Sequence, residues 1–273
     1  MTRASLSRIA AAFPACIVAS IMLVSTGAAA ASRDDETNRF ALGNSIWILY
    51  HEIGHLLVNE FQLPVLGREE DAVDHLATVT LLEGADEQMD NYLADAVDGF
   101  FLSARIKRNN NSDRMFFAGH GLDEQRAYEV ACLMLGNDER AFTPLADSIN
   151  LPVQDRERCP NAYQLARSSW LSVMEGHTGG WLSKPAKDAV LFEYGAASAK
   201  HAEAKSILEN AEVLEAAAEY LSGQYVFPRQ VMIRTEECGD SNAYFEPNSG
   251  EVVLCYELVE EFRTLLTGYY KDR

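Results

Sequence analysis

The run His51-Glu52-Ile53-Gly54-His55 places two imidazoles four residues apart, with a carboxylate directly after the first. On a helix, residues four apart lie one turn above each other on one face, so both rings can offer a nitrogen to a single ion. Glu52 sits about 100° further round, beside such an ion without ligating it. Zinc suits this donor set, lowers the pKa of water, and leaves a neighbouring glutamate to accept the proton. The expected chemistry is hydrolysis at one zinc ion, with His51 and His55 as ligands and Glu52 as general base.

A catalytic zinc takes three protein ligands and keeps one position open. Downstream, "GREEDAVDHLATVTLLE" carries Glu70 and Asp74 four apart on the next expected helix. Glu70 is the leading third ligand, and Asp74 would accept a hydrogen bond from a liganding histidine and fix its ring. Glu69, Asp71 and His75 are rivals, and Asp74 could itself ligate. Acidic residues at a helix start also suit the helix dipole without any metal. His120 reads two ways. It could stabilise the oxyanion of a tetrahedral intermediate or replace an acidic ligand. It could instead cap a helix starting near Asp123, while Arg126 pairs with a nearby carboxylate. His177 and His201 lack supporting spacing and are expected on the surface.

The elements that must position these residues are mostly helical. Apolar residues recur at helical spacing from Asn38 to Glu60, behind a polar DDETN run that can cap the helix. Pro64 and Gly67 interrupt the pattern. Further helices are expected over 68–82, 88–108 and 123–135 (closed by Gly136), and from Cys159 through Met174. Residues 196–221, rich in alanine and glutamate, read as one helix, while "NNNSD" and "EGHTGGWLSKP" read as loops. "RQVMIRT" and "EVVLCY" have strand composition around the turn residues EPNSG, and "ELVEEFRTLLTGYY" returns to helical spacing. The expected fold class is α+β, mainly α with a small β element near the C-terminus.

Arg3 and Arg8, the apolar run Ile9–Val24 and the small residues of STGAAAAS make residues 1–31 a secretory signal peptide, which takes Cys16 with it. Residues 32–273 are then a single domain, periplasmic or secreted, with no stable membrane insertion. The formal charge is −18, and −20 once Arg3 and Arg8 leave, which excludes nucleic acid as a partner. The remaining Cys132, Cys159, Cys238 and Cys255 suit disulfides in an exported chain. Pairing Cys132–Cys159 and Cys238–Cys255 closes the shorter segments, and no CxxC favours a cysteine metal site.

"YHEIGHLL…LPVLGREEDAVDHLA", "HGLDEQRAYEVACLMLG", "RERCP" and "ECGDSNAYFEPNSGEVVLCYEL" together resemble the putative metallopeptidase family, mostly exported bacterial proteins, over nearly the whole mature chain. That resemblance implies a zincin-type peptidase with His51, Glu52 and His55 in its zinc motif, acting on a peptide or protein. HEIGHLL followed by an acidic helix is also similar to gluzincins, although the gap from His55 to Glu70 is short for them. "SNAYFEPNSGEVVLCYELVEEF" looks like the strand–turn–strand–helix that precedes the active-site helix in several zincins. Here it lies at the opposite end of the chain. A circularly permuted zincin-like fold is therefore expected, with the C-terminal hairpin beside the HExxH helix and the chain ends close together. The rival readings are a zinc-containing binding or regulatory module that cleaves nothing, which leaves Glu52 without a task, and an amidase acting on cell-wall peptides.

Overall fold

The computed structural model describes residues 32–84, 86–109, 120–179, 186 and 188–271. The expected signal peptide, with Cys16, lies outside them, as do parts of the NNNSD and EGHTGGWLSKP loops.

The first helix, α1 (Arg33–Phe61), runs from five residues before the expected start. Ser32 caps it: its hydroxyl accepts from the Asp35 N–H while the Asp35 carboxylate accepts from the Ser32 N–H. This reciprocal cap, with Asp34, Asp35 and Glu36 at the positive end of the helix dipole, extends the helix into the polar run. Gln62 ends it in the left-handed conformation. Most faces of α1 are buried, from Phe40 through Leu49 to Phe61, so it is the central rod of the core.

α2 (Glu69–Glu83), α3 (Glu87–Asn109) and α4 (Asp123–Asn137) fall close to the expected positions. α5 (Glu139–Ser148) was not expected. Asp138 caps it, and Pro144 inside it breaks the usual composition signal. A single turn, α6 (Val153–Arg156), precedes α7 (Cys159–Met174). The expected helix over 196–221 is instead two, α8 (Ala202–Asn210) and α9 (Val213–Gln224). The chain breaks between them at Glu212, which has φ 50°, although no glycine or proline marks the place.

Four strands form one sheet in the order β1-β2-β4-β3. β1 (Val190–Tyr194), which the sequence reading missed, pairs parallel to β2 (Val231–Glu236), and β2 pairs parallel to β4 (Glu251–Cys255). β3 (Ala243–Glu246) pairs antiparallel to β4 and is an edge strand beside α1. β4 leads directly into α10 (Tyr256–Lys271). The fold is mainly α with a small sheet, as the patterning implied.

α10 packs along α1. Phe262 meets Phe40 edge to face at 6.4 Å, and Arg263 Nε donates to Asn38 Oδ1 at 2.9 Å. The Arg33 guanidinium lies 5.8 Å from the Tyr270 ring, so the two ends of the described chain meet. The hairpin β3–β4 lies against the helix carrying His51. Disulfides join Cys132 to Cys159, tying α4 to the start of α7, and Cys238 to Cys255, tying the β2–β3 loop to the end of β4. Among the described residues, no helix is long and apolar enough to cross a membrane.

Candidate metal centre

Gly54 sets the approach of α2 to α1. A Cβ at this position would stand 2.7 Å from Val73 Cβ, so the close crossing tolerates no side chain here. That crossing brings the first two turns of α2 over the histidines of α1, and each carboxylate meets a different partner. His51 is buried, with Nδ1 2.6 Å from Asp74 Oδ1. The Nδ1 of His55 is 2.7 Å from Glu69 Oε1. Each ring is thereby held by one nitrogen, leaving its Nε2 turned inward.

Between them lies Glu70. Its Oε2 is 3.2 Å from His51 Nε2, 3.5 Å from His55 Nε2 and 2.7 Å from His120 Nε2. Donor atoms of His51, His55 and Glu70 all lie within 4.8 Å of one another. His51 Nε2 and Glu70 Oε2 are buried, and neither has a hydrogen-bond partner. Buried polar atoms are normally satisfied, so two imidazole nitrogens and a carboxylate oxygen converging on one point fit a cation. Two imidazoles and a carboxylate, with open cleft on the fourth side, could hold a metal ion of the kind that takes three protein ligands.

Carboxylates and imidazoles hold one another's charges in this cluster. Its contact with His51, with the charges of His120 and His55 added, outweighs burial and holds the Glu70 carboxyl down to about 2. Burial alone would lower the His51 pKa, but Asp74 and Glu70 outweigh it and raise it to about 9. Burial raises the Glu52 pKa, the direction a general base near neutrality needs. Burial, and then the Arg126 charge, lower that of His120.

Behind Asp74 stands Arg126 from α4. Its Nε and Nη2 each donate to Asp74 at 2.8 Å, while the guanidinium lies 4.6 Å from the Phe100 ring centre and 5.1 Å from that of Trp47. The expectation that Arg126 pairs with a carboxylate is met by Asp74. His120 does not cap α4, where Leu122 occupies the cap position. Its ring instead stacks on His51 at 5.4 Å. Two rivals point elsewhere: Asp71 accepts from Arg68 Nε at 2.9 Å, and His75 Nε2 lies 3.7 Å from Glu129.

The cleft in front of these groups, about 850 Å³, has Glu52, His55 and Glu70 on one wall and Ala243–Phe245 of β3 on the other. The Phe245 N–H donates to Glu52. Asn242 O accepts from Cys255 N and Glu246 O from Gly250 N, so even-numbered residues turn towards β4. The backbone groups of Ala243 and Phe245 therefore face the cleft.

A family model described as "Putative metallopeptidase" matches residues 15–174 and 194–273. The chain belongs to that family. Searches of curated proteins and of solved structures found no match. Membership in a metallopeptidase family and an independently assembled His-His-Glu cluster point the same way.

Some functional partners escaped the sequence reading. Glu69, taken only as a rival ligand, orients His55. The Phe245 backbone, on a strand nearly two hundred residues away, reaches Glu52, and nothing in the local sequence signals it. His201, expected at the surface, is buried, with Nδ1 3.0 Å from Glu237 Oε1 at the far end of the sheet. His177 is half-buried and stacks on Phe61 at 4.4 Å. Neither lies in the cluster.

Proposed function

We propose that the protein is an exported zinc-dependent peptidase, with His51, His55 and Glu70 as the metal ligands and Glu52 as general base. The observation that carries this reading is the buried, unpartnered Glu70 Oε2, ringed by three imidazole nitrogens and facing a cleft with Glu52 on its wall. Zinc bound there supplies Lewis acidity towards a carbonyl oxygen and lowers the pKa of water. Glu52 then takes the proton of the attacking water and delivers it to the leaving amine. Asp74 and Glu69 keep the two imidazoles in the tautomer that frees Nε2. His120, on the cleft beside Glu70, is the residue we assign to the oxygen that gains charge in the transition state.

The substrate is an extended polypeptide. An edge strand facing the cleft suits strand addition, with the Ala243 N–H and C=O and the Phe245 C=O turned towards it while the Phe245 N–H donates to Glu52. The leader-like start, together with two disulfides, supports export.

The test compares wild type, Glu52→Gln and Glu70→Ala for zinc content and for cleavage of a peptide library. Glu52→Gln retains zinc and loses hydrolysis, whereas Glu70→Ala loses both. Undiminished turnover in Glu52→Gln refutes the mechanism. Full zinc occupancy in Glu70→Ala moves the third ligand elsewhere. A wild-type protein that holds zinc yet cleaves nothing is a binding module instead.

A further inference from the structure

The connection Gln62–Arg68 between α1 and α2 has a recess on each side. Gln62 and Leu63 line the cleft already described. Pro64, Val65 and Leu66 form a wall of a second cavity, about 710 Å³, enclosed by α2, α4 and α7. α2 divides in the same way, with Glu69 and Glu70 in the cleft and Ala72 and His75 in the cavity. The cavity is mostly apolar, lined by Val65, Leu133, Leu165, Trp170 and Val173. At its mouth Leu66 is 98 % exposed and Leu165 68 %. Leucines standing in water around an apolar recess mark a surface that a partner covers.

We propose that this recess is an accessory docking site for an apolar segment of the polypeptide substrate, seated while another stretch of the same chain lies along β3. The inference rests on the peptidase reading above. Three observations select that occupant.

The first is continuity. Exposed Gln62 in the cleft and Leu66 at the recess are four residues apart, at most about 14 Å of backbone, so a substrate crossing the connection meets both. The second is the absence of a fixed counter-charge for a small anionic ligand. The cations at the cavity already face carboxylates: Arg158 Nε lies 3.7 Å from Asp155, and His75 lies the same distance from Glu129. Recognition there is by apolar side chains. The third is net charge. At −18 the chain repels a second copy of itself and favours a partner that is not acidic.

The experiment uses the mature chain carrying Glu52→Gln, and measures the anisotropy of fluorescein-labelled lysozyme that has been reduced and carboxamidomethylated. This probe is a basic, unfolded polypeptide. Leu66→Asp and Leu165→Asp, both at exposed positions that leave the core intact, each weaken its binding about tenfold. Val153→Asp, an equally exposed site away from the recess, leaves binding unchanged. In chains with Glu52 restored, the two leucine variants cleave a short fluorogenic peptide at the wild-type rate but cleave the unfolded lysozyme more slowly. No binding of the probe to the parent chain, equal binding by all variants, or equal loss on both substrates overturns the proposal. Loss of probe binding in the leucine variants, with no hydrolysis by any chain, supports the docking site and sinks the peptidase reading instead.

Discussion

Arg126 and Asp74 are joined by two hydrogen bonds of 2.8 Å, and Asp74 in turn contacts the His51 ring at 2.6 Å. An arginine resting against the Trp47 and Phe100 rings thus sits three steps behind the candidate metal position. Burial works to raise the Asp74 pKa, but His51 and Arg126 outweigh it and lower it, so Asp74 remains an acceptor for the His51 N–H. Arg126→Ala leaves that carboxylate buried without its cation. Removing one partner of a buried pair costs about 3–5 kcal/mol of stability. The expected result is a large drop in unfolding midpoint and weaker metal binding. Arg126→Ala combined with Asp74→Asn recovers part of the midpoint, because the orphaned charge is gone. Denaturant titration of the three proteins checks this, and a double variant no more stable than the single one contradicts it.

Glu69 and Asp74 do the same job for different histidines, in different surroundings. Asp74 is buried, whereas about half of the Glu69 side chain is exposed, so water can replace Glu69 but not Asp74. Loss of a carboxylate behind a liganding histidine typically weakens metal binding about 10–100-fold. Asp74→Asn is expected at the upper end of that range, and Glu69→Gln at or below the lower end. Chelator competition for zinc ranks the two, and equal losses would remove burial as the explanation.

The division of labour on α2 shows how far the sequence could be read. The spacing of His51 and His55, and of Glu70 and Asp74, follows from helical periodicity alone, which is why both pairs were legible. Which carboxylate meets which ring depends on how α2 crosses α1 over Gly54, and a one-dimensional pattern does not encode that crossing. The same limit explains the missed pieces of fold. β1 is five residues long and takes its register from Val231–Thr235, some forty residues later. The break between α8 and α9 rests on a left-handed glutamate, a residue that carries no turn signal. His201 is buried because Glu237 comes to it from the end of β2. The similarity of the C-terminal strand–turn–strand–helix to that of several zincins covered what local pattern could not, putting the hairpin beside the motif helix.

Arg229 holds that hairpin in place. Its Nη2 and Nε donate to Glu60 near the end of α1 at 2.6 and 3.0 Å, and Nη1 and Nη2 donate to the carbonyls of Asn248 and Pro247 at 3.1 and 3.0 Å. Gly250 has φ 73°, and a Cβ there would stand 2.9 Å from the guanidinium, so the turn is shaped around it. One side chain therefore ties α1, which carries the candidate site, to the turn of the hairpin that faces the cleft. Arg229→Ala is expected to raise KM for a peptide about tenfold or more, with zinc content unchanged and kcat less affected. Arg229→Lys rescues little, because an ammonium cannot span both partners with a planar fork. Unaltered KM in both variants would mean that the hairpin holds its position without the clamp.

Asp95 on α3 provides a pH dependence remote from the candidate metal position. It is buried against α1, where it pairs with Arg39, and its backbone carbonyl accepts from Asn44 Nδ2 at 2.9 Å. Burial raises its pKa from 3.8 to about 6, with Arg39 only partly offsetting the effect. The folded state therefore binds a proton that the unfolded chain has released between those two values. Its stabilising effect is complete below the unfolded pKa and is lost as the pH rises through about 6. The shift of about two units corresponds to about 3 kcal/mol. Asp95→Asn keeps the shape and stays neutral, so its stability should match wild type near pH 4 and exceed it at pH 7. Urea unfolding of both proteins, stripped of metal with chelator, at several pH values across this window gives the difference. A constant difference from pH 4 to pH 7 would show that Arg39 keeps Asp95 ionised throughout.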